Sequence, residues 1–326
     1  MTTAPPQPTP SAAPLAPDTV VVPGRRELTP GIVEFTLGRP DGSRLPDWAP
    51  GAHIDVILPD GVVRQYSLCG DRWDAHSYRI AVRRERAGRG GSVALCDMAV
   101  PGASLGFGGP RNTFRLAPAE RYLFIAGGIG ITPILSMIQQ ADLLGIDWHL
   151  LYLGRCRADM AYVDDLAAYP DKVTVNCSDT DGRVALDRWR PDDPRVRVYA
   201  CGPTRLLDDV SAWGAVTGGF PPEIERFVAA TADAGRPRAA FEVRAARSDV
   251  TTTVAPHETI VAAPRRAGVE VITSCAQGVC GTCETEVLEG EPDHRDSLLD
   301  DSEREIARCL FPCVSRSRSE RLVLDL

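Results

Sequence analysis

The feature that most constrains this chain is a group of cysteines near its C-terminus: Cys275, Cys280 and Cys283, answered much later by Cys313. The pattern is C-x4-C-x2-C with a distant fourth cysteine, the plant-type ligand spacing of a [2Fe–2S] cluster. Three thiolates close in sequence must wrap one face of a small inorganic core. The loop between them therefore needs residues that lack a Cβ or can take positive φ, and Gly278 and Gly281 fall inside it. A structural zinc site favours two matched cysteine pairs, which this asymmetric set does not repeat. Such a cluster carries one electron at a time, so the rest of the chain is expected to deliver electrons to it and to meet their acceptor.

At 326 residues the chain is long for one domain, and about two or three are expected. A hydrophobic fraction of 44% lets each build a core, and a net charge of −8 argues against nucleic acid as a partner. The N-terminus lacks a basic region followed by an apolar run, and no stretch approaches a membrane span, so a cytoplasmic location is expected. In that reducing compartment the ten cysteines are free or metal-bound, not a disulfide framework.

Taken in order, residues 1–17 are a Pro- and Ala-rich tail expected to be disordered. Over 18–116 short alternating runs (Thr19–Val22, Ile32–Leu37, His53–Leu58, Val62–Leu68, Ser77–Arg83) predict an antiparallel β-barrel. Residues 117–232 alternate strand and helix, as in a doubly wound α/β domain. There Thr132 is positioned to cap a helix whose apolar face holds Ile134, Leu135, Ile138, Ala141 and Leu143 or Leu144. A second helix is predicted near Met160–Ala168. Residues 233–239 look like a linker, and 240–326 predict a small mixed α+β sheet around the cysteine loop.

Three constellations carry chemistry. In Arg64-Gln65-Tyr66-Ser67 a guanidinium can grip phosphate, a ring can lie against a planar cofactor and a hydroxyl can bond a ring nitrogen. Gly90-Gly91-Ser92 opens a short helix whose first N–H groups suit a phosphate. Two loops that follow strands, Gly127-Gly128-Ile-Gly130-Ile-Thr132 and Cys201-Gly202-Pro203, converge on one nucleotide crevice, although the first does not fit G-x-G-x-x-G.

With Gly109-Pro-Arg111-Asn112-Thr-Phe114, these motifs occur in the order found in the phthalate dioxygenase reductase and vanillate demethylase reductase family, which the chain resembles over roughly residues 20 to 326. The resemblance implies a multidomain protein: a ferredoxin-reductase-like β-barrel for FMN, a nicotinamide α/β domain and a plant-type ferredoxin domain of β-grasp fold. It implies that Arg64, Gln65, Tyr66 and Ser67 bind the flavin, that Gly90, Gly91 and Ser92 hold its phosphate, and that Arg111 and Asn112 line the same pocket. It places Gly127, Gly128, Gly130, Thr132, Cys201, Gly202 and Pro203 at the dinucleotide. Ser67, Cys201 and Phe227 are then the groups nearest hydride transfer, with Arg226 departing from the family's usual Glu-Tyr-Phe. NADH is the expected donor, with NADPH open because Arg155 and Arg157 could reach a 2′-phosphate.

The implied function is electron transfer from hydride through FMN and the [2Fe–2S] cluster to a terminal oxygenase of the Rieske type, with a cytochrome P450 as the alternative acceptor. A flavin and iron–sulfur redox sensor is the alternative from another class. The chain is expected to be a monomer that docks its acceptor transiently near the cluster, and the acidic run Glu284, Glu286, Glu289, Glu291 and Asp293 could steer a basic face. Cys309 competes with Cys313 as fourth ligand, but the family context of Cys313-Val-Ser-Arg selects Cys313. Replacing each by serine should abolish the cluster absorption only in Cys313→Ser; a cluster retained there and lost in Cys309→Ser would reverse the assignment.

Overall fold

The computed structural model describes residues 18–88, 90–214, 219–228, 239–299 and 301–326. The tail over 1–17 and the linker over 233–239, apart from Ala239, lie outside the described residues.

The first sheet contains β1 (Asp18–Thr29), β2 (Ile32–Gly38), β3 (His53–Ile57), β4 (Val63–Ser67), β5 (Ser77–Arg83) and β6 (Ser104–Arg111). Its antiparallel order is β4-β3-β6-β1-β2-β5, and a bridge from Leu68 to Ile80 joins the two outer strands, closing the sheet on itself. Val22, Phe35, Ile54, Val56, Leu68, Ile80 and Phe107 fill the interior. Helix α1 (Gly91–Met98) plugs the barrel with Leu95 and Cys96. The pattern over β6 is diluted by Gly106, Gly108 and Gly109, which explains why alternation alone does not reveal that strand.

The second sheet is parallel, with order β11-β10-β7-β8-β9. It is built from β7 (Arg121–Gly127), α2 (Ile131–Leu143), β8 (Asp147–Gly154), β9 (Val173–Cys177), α3 (Ser178–Asp181), β10 (Val196–Cys201), α4 (Thr204–Ser211) and β11 (Glu223–Glu225). The strand order reverses between β7 and β10, so a crevice opens at their carboxyl ends.

Three local expectations fail. The helix over Met160–Ala168 is replaced by 3-10 turns at Arg157–Asp159 and Asp165–Ala168, with Tyr162 between them at φ 62. A left-handed residue ends any helix, and Tyr162 is held there by its phenol, which donates 2.8 Å to Glu34 Oε2 on β2. Thr132 does not cap α2 either. A 3-10 turn at Gly128–Gly130 precedes the helix, and the Thr132 hydroxyl donates back to the Ile129 carbonyl at 3.0 Å. Ile134, Leu135, Ile138 and Ala141 are buried as expected, whereas Leu143 and Leu144, the last residue and the C-cap of α2, are 64% and 60% exposed.

The third sheet has β12 (Phe241–Ala245), β13 (Val250–Val254), β14 (Thr285–Glu289), β16 (Cys309–Leu310) and β18 (Arg321–Leu324) in the order β13-β12-β18-β14-β16. β12 and β18 run parallel and the other pairs antiparallel, giving the mixed sheet of a β-grasp. Helix α5 (Ala262–Arg266) covers it, with Ile260 and Ala263 against Phe241, Val243 and Leu322. A two-stranded ribbon, β15 (Pro292–Asp293) with β17 (Arg316–Ser317), and helix α6 (Asp301–Ile306) complete this region. Among the described residues no helix is long and apolar enough to cross a membrane.

Candidate functional site: a cleft shared by three sheets

The three sheets meet at a cleft of about 330 Å³. The barrel contributes His53, Arg64–Ser67, Gly91 and Ser92, the parallel sheet contributes Thr132, Glu225 and Phe227, and the cysteine loop contributes Cys275, Gln277 and Val279. Residues far apart in sequence thus share one wall.

The barrel side suits a flavin phosphate and ring. Gly90 takes φ 81 at the cap of α1, and the Arg64 guanidinium lies directly over Gly91: a Cβ there would stand 2.4 Å from Arg64 Nε. Glycine here lets the cation and the helix N-terminus converge without moving the Arg64 side chain, and both favour an anion. Ser92 Oγ accepts the Glu85 N–H at 3.0 Å, which locks the turn. Tyr66 Oη is buried without a hydrogen-bond partner among the described residues, as is His53 Nε2. Buried polar atoms are costly unless paired, so these two orphaned atoms in a cleft wall fit a polar, planar ligand. Burial and the neighbouring Arg111 depress the His53 imidazole to about 4, so it is neutral. Gln65 lines the cleft as well, and its amide donates 3.1 Å to Asp55 behind it.

Arg111 and Asn112 are not among the lining residues. Arg111 pairs with Asp55 at 2.5 Å, and Asn112 donates to the Pro50 carbonyl at 2.8 Å while accepting from the Phe114 N–H at 3.0 Å. Both stand behind the wall, where they brace it.

On the nucleotide side the two loops after strands pack against each other. A Cβ on Gly130 would fall 2.3 Å from the Cys201 carbonyl oxygen, and one on Gly127 would fall 2.6 Å from Pro203 Cδ. A Cβ on Gly202 would stand 3.0 Å from the Gly127 backbone. Gly128, at φ 55, has open space instead. Cys201 is 0% exposed and desolvation raises its thiol pKa, so it is protonated and lies outside the lining. Phe227, 40% exposed, stands at the cleft. So does Glu225, the neighbour of Cys201 across the strand pair, which opens the Glu-Arg-Phe motif but was given no role by it. Its Oε2 has no hydrogen-bond partner among the described residues, and desolvation raises its pKa to about 8.

In the cysteine loop, Ala276, Gly278 and Gly281 all take positive φ. A Cβ on Gly278 would meet Val314 at 2.6 Å, so the loop is drawn tightly against the segment that carries Cys313. Cys283 and Cys313 sulfurs are 3.3 Å apart, and the Gln277 N–H donates to Cys275 Sγ at 3.3 Å. The thiols of Cys280 and Cys313 hydrogen-bond Cys275 and hold its pKa well below that of a free thiol. Backbone N–H donors aimed at a sulfur stabilise a thiolate, the form that binds iron. Among the described residues no set of His, Cys, Asp or Glu is arranged around a single metal ion; the chemistry of the donor set fits a two-iron core. Cys309 lies apart beside Glu284, and burial pushes its thiol up to about 11.

Glu225 has a pH consequence. Between 4.5, the ordinary carboxyl value, and about 8 the folded chain keeps a proton that the unfolded chain releases, so stability falls as pH rises through that window. Hydride acceptance builds negative charge in the cleft, and an ionised carboxylate in its wall opposes it. Flavin reduction by the donor should therefore slow above pH 8 in the native protein and stay flat in Glu225→Gln, as read by stopped-flow absorbance.

Known proteins share this architecture. Residues 243–318 match the 2Fe-2S iron-sulfur cluster binding domain family. Phenoxybenzoate dioxygenase subunit beta of Ectopseudomonas oleovorans is 41% identical over 301 residues, covering 90% of this chain and 93% of the relative. The solved structure of phthalate dioxygenase reductase, described as a modular structure for electron transfer from pyridine nucleotides to [2Fe–2S], superposes with a TM-score of 0.69 at 34% identity, over 94% of this chain and 97% of that one. An intact type IV self-sufficient cytochrome P450 monooxygenase superposes with a TM-score of 0.86 at 37% identity; this chain is covered over 95% but spans only 41% of that longer protein. With its flavin cleft, parallel nucleotide sheet and cluster loop, the chain belongs to the phthalate dioxygenase reductase family of NAD(P)H-dependent flavin iron–sulfur oxidoreductases.

Proposed function

We propose that this chain is the reductase of a two-component oxygenase system and passes electrons one at a time to a Rieske-type terminal oxygenase acting on an aromatic substrate. The observation that carries the reading is the place of Cys275: a cluster cysteine lines the same cleft as the flavin-binding strand Arg64–Ser67. When bound, nicotinamide supplies a hydride, FMN splits its electron pair, and the [2Fe–2S] cluster exports single electrons.

The chain's own residues place these groups. Arg64, Gly90, Gly91 and Ser92 hold the flavin phosphate, Tyr66 lies against the ring and the Ser67 hydroxyl faces its reactive edge. Phe227 covers the face that nicotinamide must approach, and Gly127–Thr132 with Cys201–Pro203 form the dinucleotide crevice. Cys275, Cys280, Cys283 and Cys313 ligate the iron. In this reading 18–116 is the flavin domain, 117–232 the nucleotide domain, 233–239 a linker and 240–326 the ferredoxin domain. The chain acts as a monomer in the cytoplasm. Glu284, Glu286, Glu289 and Glu291 are exposed and suit a transient contact with a basic acceptor face.

A second acceptor, a cytochrome P450, is favoured by the TM-score of 0.86 to the self-sufficient monooxygenase. NADH addition should bleach flavin and cluster absorption together, and reconstitution should give turnover with a Rieske oxygenase that falls as ionic strength rises. Turnover with a P450 alone would replace the Rieske assignment, and a cluster that stays oxidised would refute the electron path.

NADH is the preferred donor on charge grounds. Arg155 is paired with Asp179 at 3.3 Å, and Arg157 with Asp164 at 3.1 Å. A 2′-phosphate would meet two cations that already have carboxylate partners and would face the carboxylates as well. Asp179→Asn should shift the kcat/KM preference towards NADPH by up to about fivefold, the size of an exposed ion pair; an unchanged preference would remove Asp179 from the specificity site.

A further inference from the structure

Asp55 belongs to none of the motifs, yet three chain segments converge on its carboxylate. It lies in the middle of β3 and is buried. Oδ1 accepts from Gln65 Nε2 of β4 at 3.1 Å and from the Ser274 hydroxyl at 2.6 Å. Oδ2 pairs with Arg111 of β6 at 2.5 Å. The Ser274 bond spans 219 residues of sequence and joins the barrel to the residue immediately before Cys275. Gln65 and Cys275 both line the cleft. One carboxylate is thus hydrogen-bonded to a cleft residue on one side and to the neighbour of a cluster cysteine on the other.

The surroundings make this an anchor and not an incidental contact. Arg111 balances the charge from β6. A buried carboxylate with every listener in place is rigid, and removing one donor leaves it undersolvated. A second approach lies close by, where Gly281 of the loop faces Thr113, the hypothetical Cβ standing 3.4 Å from its methyl. Ser274 is therefore the polar pin and Gly281 the apolar rest of one seam between barrel and cluster loop.

We infer that Asp55, through Ser274, is a positioning residue for electron transfer: it holds the Cys275 loop against the flavin cleft and so sets the separation across which each electron passes. The step makes and breaks no bond; one electron leaves the reduced flavin and one arrives at the oxidised cluster. Its rate falls steeply with separation, whereas hydride delivery on the nucleotide side does not involve this seam. The inference rests on the electron path proposed above.

The test uses full-length holoprotein in three forms: native, Ser274→Ala and Ser274→Thr. Ser274→Ala removes the pin while Asp55 keeps its barrel partners Arg111 and Gln65. Stopped-flow mixing with NADH follows flavin and cluster absorption separately, and hydrogen exchange of the peptide over 272–284 reports how firmly the loop is held. In Ser274→Ala, flavin reduction should match native protein, cluster reduction should slow about tenfold and loop exchange should speed up about tenfold, the equilibrium shift for loss of one hydrogen bond to a charged group. Ser274→Thr, which keeps the hydroxyl, should restore both. Native-like cluster reduction together with native-like loop exchange in Ser274→Ala would overturn the inference. Failure of native protein to reduce its cluster would instead overturn the electron path. Asp55→Asn, which weakens the acceptor without emptying the site, should give the same two changes in smaller measure; a slowing of flavin reduction alone would count against the positioning role.

Discussion

Two buried carboxylates on the barrel hold the rest of the molecule in register. Glu34 on β2 accepts the Tyr162 phenol from the parallel sheet, with Arg26 and Arg79 alongside it. Asp55 on β3 accepts Ser274 from the cluster loop, with Arg111 alongside it. Each is a charge removed from water, compensated by arginine and then used as an acceptor by a neighbouring unit. Such a bond is hard to break, because loosening the neighbour strands a desolvated carboxylate. The barrel is therefore the fixed frame, and the nucleotide sheet and the cluster loop are each tied to it by a bond that needs their full folded geometry.

Close backbone approach is the second constraint, and it explains why glycines cluster at the cleft. Gly91 admits the Arg64 guanidinium to a helix N-terminus. Gly127, Gly130 and Gly202 let two strand-end loops pack against each other with no side chain between them. Gly278 lets the cysteine loop lie on the Val314 segment. In each case a methyl group would overlap an atom of another segment, so these positions record tertiary contacts made in order to bring binding surfaces together. Gly128, with open space and positive φ, is different: there the backbone conformation itself requires glycine.

The braces also divide the cleft residues into those that face a ligand and those that stand behind. Tyr66, Ser67, Glu225 and Phe227 face it. Arg111, Asn112 and Cys201, which the sequence motifs suggest for the same site, do not. Motif membership reports a common local structure, but the strand's twist and the depth of each side chain decide which members reach the solvent-filled space. Glu225 shows the converse. Its motif drew attention to Phe227 and not to the glutamate, and only desolvation beside Cys201 gives Glu225 a raised pKa and a place in the wall.

The sequence by itself determined the local features. The C-x4-C-x2-C loop, the alternating barrel strands and the strand–glycine–helix junction at Arg121–Leu143 are short-range patterns, set by side-chain periodicity and by where a Cβ can be tolerated. Their order along the chain was enough to indicate the three modules. Only the tertiary structure decided the helix that Tyr162 interrupts, the back-turned hydroxyl of Thr132, the exposed Leu143 and Leu144, and the Asp55–Ser274 bond. The Tyr162 and Asp55–Ser274 bonds depend on partners distant in sequence, and the Thr132 hydroxyl turns to a carbonyl three residues back because a 3-10 turn precedes its helix. Propensity is worth only tenths of a kcal/mol per residue, and a single buried polar contact outweighs it.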